Sequence, residues 1–331
     1  MTARVLIIVP TLNEAQHIGS LLDGILVEAE ALDARIVVAD GGSSDGTQEQ
    51  VSARAALSDR ITLLHNHRRI QSAAINLAVA QFGENADTLI RIDAHGIYPH
   101  DYCRQLVAEA ERRKVASVVV PMLTVGRAAF QQAVATAQNS PIGTGGSAHR
   151  MGGMTGPVDH GHHALMRIDA FRGVGGYDET FRCNEDAELD HRMRMAGHTI
   201  WLTDRTVMTY YPRATMAGLF RQYFGYGGGR AANIFKHRMR PQPRQLAPLA
   251  IVPVVLLAAL SIWHWAALIP LALWGLGCIA LGMHAARKHP DQGTPLWAMP
   301  LVGWAAMIMH FAWSSGFWLH VLRRPFQRRA V

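Results

Sequence analysis

Three groups of side chains in this chain have types and spacings suited to chemistry. Asp93 and His95 close the stretch Arg91-Ile92-Asp93-Ala94-His95 and set a carboxylate two residues from an imidazole. Such a pair can bind a divalent cation through oxygen and nitrogen, or it can satisfy itself as a structural hydrogen-bonded pair. Hard oxygen ligands favour Mg²⁺, and a nitrogen ligand makes Mn²⁺ more competitive. Glu185 and Asp186 open a charged stretch and can favour a helix N-terminus. A carboxylate placed there can equally take a proton from a hydroxyl. The third group is the turn Asp40-Gly41-Gly42-Ser43-Ser44-Asp45-Gly46-Thr47. Its glycines permit tight backbone turns, and its Ser and Asp side chains can cap a following helix.

These groups must be positioned by regular elements, and the apolar pattern supplies them. Residues 5–9 read as a short strand that runs into Pro10-Thr11-Leu12-Asn13-Glu14. Ile18, Leu21, Leu22 and Ile25 then recur at the spacing of one helix face. A second strand, 35–39, enters the Asp40 turn. Strands at 61–64 and 88–92 flank a helix over 72–82, and 115–120 is a later buried strand. Repeated strand, loop and helix predict a doubly wound α/β fold, in which ligands gather at the carboxyl ends of the strands. Leu189 and Met193 give the stretch 185–196 an apolar helix face. The Gly-, Ser- and Thr-rich segment 139–161 reads as a substrate loop or a solvent-facing linker.

With 331 residues the chain can bury a large core, and its distribution of apolar residues is uneven. The formal charge of +7 suits phosphorylated ligands or anionic lipid; the absence of zinc-finger spacing, an RNA-binding aromatic signature or a long basic run argues against nucleic acid. Cys103, Cys183 and Cys278 are too far apart for a metal knuckle or redox pair and read as packing residues. The N-terminus lacks the pattern of a signal peptide, which leaves the first domain in the cytoplasm.

Beyond Arg244 the composition changes. Residues 246–263, 266–283 and 296–322 are apolar enough for membrane helices, with tryptophans near their ends and Pro248, Pro253, Pro270 and Pro300 as sites of kinking or delayed helix starts. The domain division expected is therefore 1–245 followed by 246–331. Lys236, Arg238, Arg240 and Arg244 favour a cytoplasmic location for the first domain, and Arg287 and Lys288 return to that side after two crossings. A third full crossing puts Arg323, Arg324, Arg328 and Arg329 outside. Either that preference is overridden or one span is re-entrant or interfacial.

The ordered motifs Val9-Pro10-Thr11-Leu12-Asn13-Glu14, Ala39 to Thr47, Arg91 to His95, Gly173-Val174-Gly175-Gly176-Tyr177-Asp178-Glu179 and Asn184-Glu185-Asp186-Ala187-Glu188-Leu189 resemble family 2 glycosyltransferases over roughly residues 5–230. The resemblance implies a GT-A type nucleotide-sugar-binding domain followed by transmembrane helices, and inverting transfer without a covalent intermediate. It implies that Pro10, Thr11, Asn13, Glu14, Asp40 and Asp93 bind the nucleotide. Asp93 and His95 hold Mg²⁺ or Mn²⁺ on the diphosphate, with His95 standing where the family has a second Asp; direct contact of His95 with the diphosphate is the alternative. Asp186 is the general base, and Glu185 orients the acceptor. His162 and His163 are candidates for contact with donor phosphate, acceptor or metal, or for plain loop hydrogen bonding, and His149 and Arg150 are candidate acceptor-loop contacts.

Gln222 falls where related processive enzymes begin a Gln-x-x-Arg-Trp motif, but Gly225-Tyr226 replaces its last pair, which argues against processive polymerisation. Gln222 or a neighbouring aromatic is then expected to shape the acceptor groove and Arg221 or Arg230 to meet the diphosphate; a basic-aromatic interfacial helix is the structural alternative. More particularly, the chain resembles bacterial exopolysaccharide glucosyltransferases of the succinoglycan type. That implies UDP-glucose as donor, a galactosyl polyprenyl-diphosphate acceptor, a β-1,3 linkage, a plasma-membrane location and exopolysaccharide-assembly proteins as partners. Another UDP-sugar or glycolipid acceptor, and a non-catalytic nucleotide-sugar-binding membrane protein, are the alternatives.

Overall fold

The computed structural model describes residues 4–147, 150 and 153–327, the last four by backbone alone. Arg328 and Arg329, and likewise His149, lie outside the described residues. The chain forms two compact units: one from the described residues of Met1–Met122 and Gly152–Tyr210, the other from those of Leu123–Met151 and Tyr211–Val331.

The first unit is built on an eight-stranded mixed sheet. Its strands are β1 (Val5–Thr11), β2 (Arg35–Asp40), β3 (Ile61–His65), β4 (Thr88–Arg91), β5 (Ser117–Val120), β6 (Gly156–Pro157), β7 (His162–Arg167) and β8 (Ile200–Leu202). Their order is β3-β2-β1-β4-β7-β5-β8-β6. The pairs β1–β2, β2–β3, β1–β4 and β5–β8 are parallel, whereas β7 is antiparallel to both β4 and β5. The central strands are almost continuously apolar because both faces are covered. Val5, Ile7, Val9, Ile36, Val38 and Ile90 face a core that includes Ile18, Leu22 and Leu106. The alternate residues Leu6, Ile8, Val37 and Leu89 face Ile75, Val79, Phe171, Leu189 and Met193. This period-two division fixes the register, since a one-residue slip would exchange the two faces.

The register decides where the chemistry goes. Ile8 pairs with Arg91 and Thr11 with Asp40, so the loops after β1, β2 and β4 leave one edge of the sheet together. The expected strands and the helix Gln71–Phe82 are present. The segment read as irregular contains the short helix Pro141–Thr144 and β6.

The second unit is helical. Among the described residues three stretches are long and apolar enough to cross a membrane: Pro243–Ile262, Trp265–Lys288 and Leu296–Arg323. In the most apolar part of each stretch a larger share of the third is buried than of the first two, so the third is the one most covered by protein. It packs along the helix Met216–Lys236. Leu219 clusters with Val302, Ala305 and Met309, whereas Ala231 and Ile234 cluster with Phe317, so the two helices run parallel. Close approach depends on small residues, as in lipid-embedded helix pairs. A Cβ on Gly227 would overlap the Trp313 carbonyl, and one on Gly316 would overlap that of Phe224.

The prolines act at defined points. Pro270 lies in the first turn of the helix Ile269–Lys288, and Pro300 is the second residue of Met299–Gln327, positions that need no intrahelical N–H bond. Pro253 has no N–H for the carbonyl of Leu249 four residues earlier. That carbonyl instead accepts from Trp318 Nε1 at 2.9 Å and Ser314 Oγ at 3.3 Å, both on the third span. In a bilayer such replacement is what makes a proline tolerable. His310, also on that span, meets the Ile142 carbonyl through Nε2 at 2.7 Å.

Candidate active site

The loops after β1 and β2 are joined by their polar side chains. Asn13 adopts φ 58°, which turns its N–H to Ser43 Oγ at 2.7 Å while its Oδ1 accepts from the Ser44 N–H at 3.0 Å. The Glu14 N–H donates to Thr47 Oγ1 at 2.9 Å and that of Ala15 to Asp45 Oδ2 at 3.0 Å. Asp40 organises this turn from below. Burial would push its carboxyl up, but the Ser43 hydroxyl and N–H, Gln48 and the Gly42 N–H together hold it below the usual range. Thr11 Oγ1 donates to the same carboxylate at 3.2 Å. With Asp40 fully buried, the structure makes it the anion that shapes the turn.

Arg91, the last residue of β4, is the charged centre of the site. Its side chain is 5% exposed and joins two carboxylates: Nε lies 2.9 Å from Asp93 Oδ1 and Nη1 2.7 Å from Asp186 Oδ1. Asp93 also accepts from Gln71 Nε2 at 3.2 Å, and His162 Nε2 lies 3.7 Å from its Oδ2. Burial opposes ionisation of Asp93, but the charges of Arg91 and His162 outweigh it and keep the carboxyl far below the usual range. Asp186 behaves similarly. Burial raises it, and the charge of Arg91, followed by those of His163 and His162, brings it below the ordinary carboxylate value.

Asp186 is aimed from a second direction. Tyr177 OH donates to its Oδ1 at 2.9 Å. The main chain of Tyr177 is fixed by Asn76, which accepts from its N–H and donates to its carbonyl, both at 2.9 Å. The glycine before it is required: Gly176 has φ 69°, and an added Cβ would fall 2.7 Å from Asn76 Oδ1. The helix Glu185–Met195 begins at Asn184, whose φ of 60° turns the chain into the site.

Glu185 differs from its neighbour. Burial first, and then the charge of Asp186, push its carboxyl up to about 7. A raised value in the fold means that the neutral form is preferred, so the stability it provides is full below the ordinary Glu range and is lost as pH rises through about 7. Glu185→Gln, which stays neutral, is expected to gain on the wild type by on the order of 1–3 kcal/mol between about pH 5 and pH 8. Thermal unfolding across that window checks this, and a difference independent of pH would refute it.

His162 and His163 separate in role because alternate residues of β7 point to opposite faces. His162 approaches Asp93, whereas His163 is fully buried with Nε2 2.8 Å from Asp190 Oδ1. His160 Nδ1 meets the other oxygen of Asp190 at 2.7 Å. Burial would raise Asp190, yet the charge of His163 and the His160 hydrogen bond hold it at about 2. The His163 ring lies edge-on to Tyr177 at 6.2 Å and thus backs the tyrosine that holds Asp186.

The structure brings Thr11, Asn13, Glu14 and Asp40 to one loop pair, and Asp93, His162 and Asp186 to Arg91. Pro10 lies within β1, whose last residue is Thr11. His95 Nδ1 reaches Glu14 Oε1 at 3.0 Å. Arg221, Gln222 and Arg230 belong to the helix Met216–Lys236 of the other unit, where Gln222 Nε2 donates to Tyr226 OH at 3.1 Å. Arg150 is in that unit too and donates to Thr124 Oγ1 at 3.0 Å. Among the described residues no three His, Cys, Asp or Glu side chains are grouped to hold a cation. A cation bound by Asp93 and His95 would therefore take its other ligands from a diphosphate and water, the usual manner for Mg²⁺ in phosphate sites. Arg91, Tyr177, Asn76 and Asp190 were not among the expected site residues. Arg91 had a signal, a lone charge closing an apolar strand two residues before Asp93.

Residues 6–175 match the family described as Glycosyl transferase family 2. The chain is similar to succinoglycan biosynthesis protein ExoA of Rhizobium meliloti (strain 1021), with 52% identity over 326 residues that cover 98% of this chain and 97% of that one. It is also similar to the structure of mannosyltransferase PcManGT from Pyrobaculum calidifontis in complex with GDP-Man and Mn²⁺. That match has TM-score 0.59 and 21% identity, over 94% of this chain and 88% of the other. GalNAc-T7 with UDP, GalNAc and Mn²⁺ matches with TM-score 0.50 and 14% identity, over 68% and 47%. At such identities the two structures speak for the fold, which is GT-A-like with a mixed sheet.

Proposed function

Since the chain belongs to glycosyl transferase family 2, we propose that it is a metal-dependent inverting hexosyltransferase that moves glucose from UDP-glucose to a lipid-linked galactosyl acceptor in β-1,3 linkage, in exopolysaccharide synthesis. The observation that carries the chemistry is the Arg91 bridge, which holds Asp93 and Asp186 on one guanidinium. Asp93 serves the donor and Asp186 the acceptor, so donor and acceptor ends of the reaction are held together. Asp186 takes the proton from the acceptor hydroxyl as its oxygen attacks the anomeric carbon from the side opposite the leaving UDP, which inverts that carbon. Asp93 and His95 fit a divalent cation by their oxygen and nitrogen donors, and such a cation would neutralise the charge growing on the departing diphosphate. The PcManGT and GalNAc-T7 structures contain Mn²⁺ with a sugar nucleotide or with UDP and a sugar.

The exopolysaccharide assignment rests on the likeness to ExoA, whose name states succinoglycan biosynthesis. Three membrane-length helices suit a polyprenyl-diphosphate acceptor by keeping the enzyme in its substrate's bilayer. Lys236, Arg238, Arg240 and Arg244 before the first span favour a cytoplasmic first unit, where nucleotide sugars are available. The test is a donor-by-acceptor matrix on the purified protein in lipid, with Mg²⁺ and Mn²⁺ compared and products analysed for linkage. Glucose transfer in β-1,3 linkage to the galactosyl lipid is expected. Preference for another sugar or linkage overturns the substrate assignment, and no metal-dependent product with any pair overturns the enzymatic one.

A further inference from the structure

Glu14 and His95 come from different loops, yet their side chains meet. β1 and β4 are adjacent and parallel, so the segments that follow them emerge side by side. The Glu14 main chain is held by its N–H bond to Thr47 Oγ1 at 2.9 Å, and its carboxylate oxygen Oε1 lies 3.0 Å from His95 Nδ1. The Glu14 side chain is 19% exposed and that of His95 47%, so the carboxylate is the sheltered partner and the imidazole the more accessible one.

The contact has a chemical consequence. A neutral imidazole carries one N–H and one lone pair, and the hydrogen bond made by one nitrogen decides which form is present. A carboxylate accepts and cannot donate, so in the neutral imidazole Glu14 places the proton at Nδ1 and the lone pair at Nε2. We propose that Glu14 is a positioning residue that fixes the Nδ1–H form of His95 and its ring orientation, so that Nε2 ligates the divalent cation carrying the donor diphosphate. The arrangement is a carboxylate–histidine–metal relay, in which the outer carboxylate raises the basicity of the ligating nitrogen. An aspartate at position 95 would need no such partner, because either of its oxygens can ligate in any protonation state found near neutral pH. The inference rests on the metal reading of Asp93 and His95 given above.

The experiment measures Mn²⁺ affinity of the intact protein in nanodiscs by electron paramagnetic resonance, with UDP present. The variants are Glu14→Gln, His95→Ala, His95→Asp and the double variant Glu14→Gln with His95→Asp. UDP affinity of each without metal is the reference for nucleotide binding itself. Glu14→Gln is expected to weaken Mn²⁺ binding by about 10–100-fold. In the His95→Asp background the same change is expected to alter it by less than about twofold, because the partner it orients is gone. An equal loss in both backgrounds overturns the proposal, as does a loss of UDP binding that is the same with and without Mn²⁺. Wild-type Mn²⁺ affinity in Glu14→Gln, together with weakened affinity in His95→Ala, overturns the role of Glu14 alone. Undiminished affinity in His95→Ala overturns the metal reading on which it rests.

Discussion

Arg91→Leu is expected to destabilise the first unit by about 3–5 kcal/mol at neutral pH and to abolish transfer. The side chain is nearly buried and is the cation shared by Asp93 and Asp186. Leucine fills part of the volume but leaves two sheltered carboxylates without their counter-charge, and this is the expensive way to break a buried ion pair. The pH dependence identifies the cause. In the wild type both carboxyls lie below their ordinary values, so each contributes stability that is present above the unfolded value and is lost as pH falls through the folded one. Without Arg91, burial dominates and raises both carboxyls, so the variant gains stability on protonation. The gap between the two proteins should be widest near pH 7 and narrow below about pH 4. Unfolding in detergent from acid to neutral pH measures this, and a gap that does not change would assign Arg91 a packing role. Arg91→Lys should recover part of the stability but little transfer, because one ammonium group cannot match the fork that reaches two carboxylates.

How much of this site could be read from the residues follows from where each constraint resides. The loops after β1 and β2 were legible because a short apolar run ending in Pro10-Thr11-Leu12-Asn13-Glu14, and another ending in Asp40-Gly41-Gly42, are local patterns. β7 was not. His162-His163-Ala164-Leu165-Met166-Arg167 has no β-branched residue and begins with two histidines, and it is a strand because β4 and β5 bind it on both sides. The separation of His162 from His163 follows from that strand and was equally hidden. Asp190 sits in a run of charges that resembles a solvated helix face, and only the fold reveals that it is buried between His160 and His163. The helix Met216–Lys236 was legible as a basic-aromatic element, but not its extent. Gly225, Gly227, Gly228 and Gly229 weaken helix propensity, and the gain from letting Gly227 touch the third span is a tertiary effect. For the same reason the grouping of Ala133, Val134 and Ala137 with Val302 and Met309 leaves no mark in the local pattern.

Asp186→Asn is expected to lower kcat by about 10²–10⁴-fold while the donor KM changes little, since the variant retains an oxygen for Tyr177 but cannot take a proton. The adjacent Glu185 makes the pH profile the decisive measurement. Arg91 keeps Asp186 below the usual carboxylate range, so Asp186 is an ionised base around neutral pH. Glu185, pushed up to about 7, is largely protonated below that pH. If Asp186 is the base, kcat/KM of the wild type should show no acid limb near pH 7, and Glu185→Gln should retain most activity with the same profile. An acid limb near 7 that disappears in Glu185→Gln, along with nearly unchanged transfer by Asp186→Asn, would move the base one residue back. The physical trade-off makes both outcomes meaningful. A carboxylate held low by Arg91 is ionised near neutral pH but weakly basic, while one raised by burial is a stronger base present in a smaller fraction. The Tyr177 and Arg91 contacts favour Asp186, because they fix the direction of its carboxylate, and proton transfer needs geometry before it needs basicity.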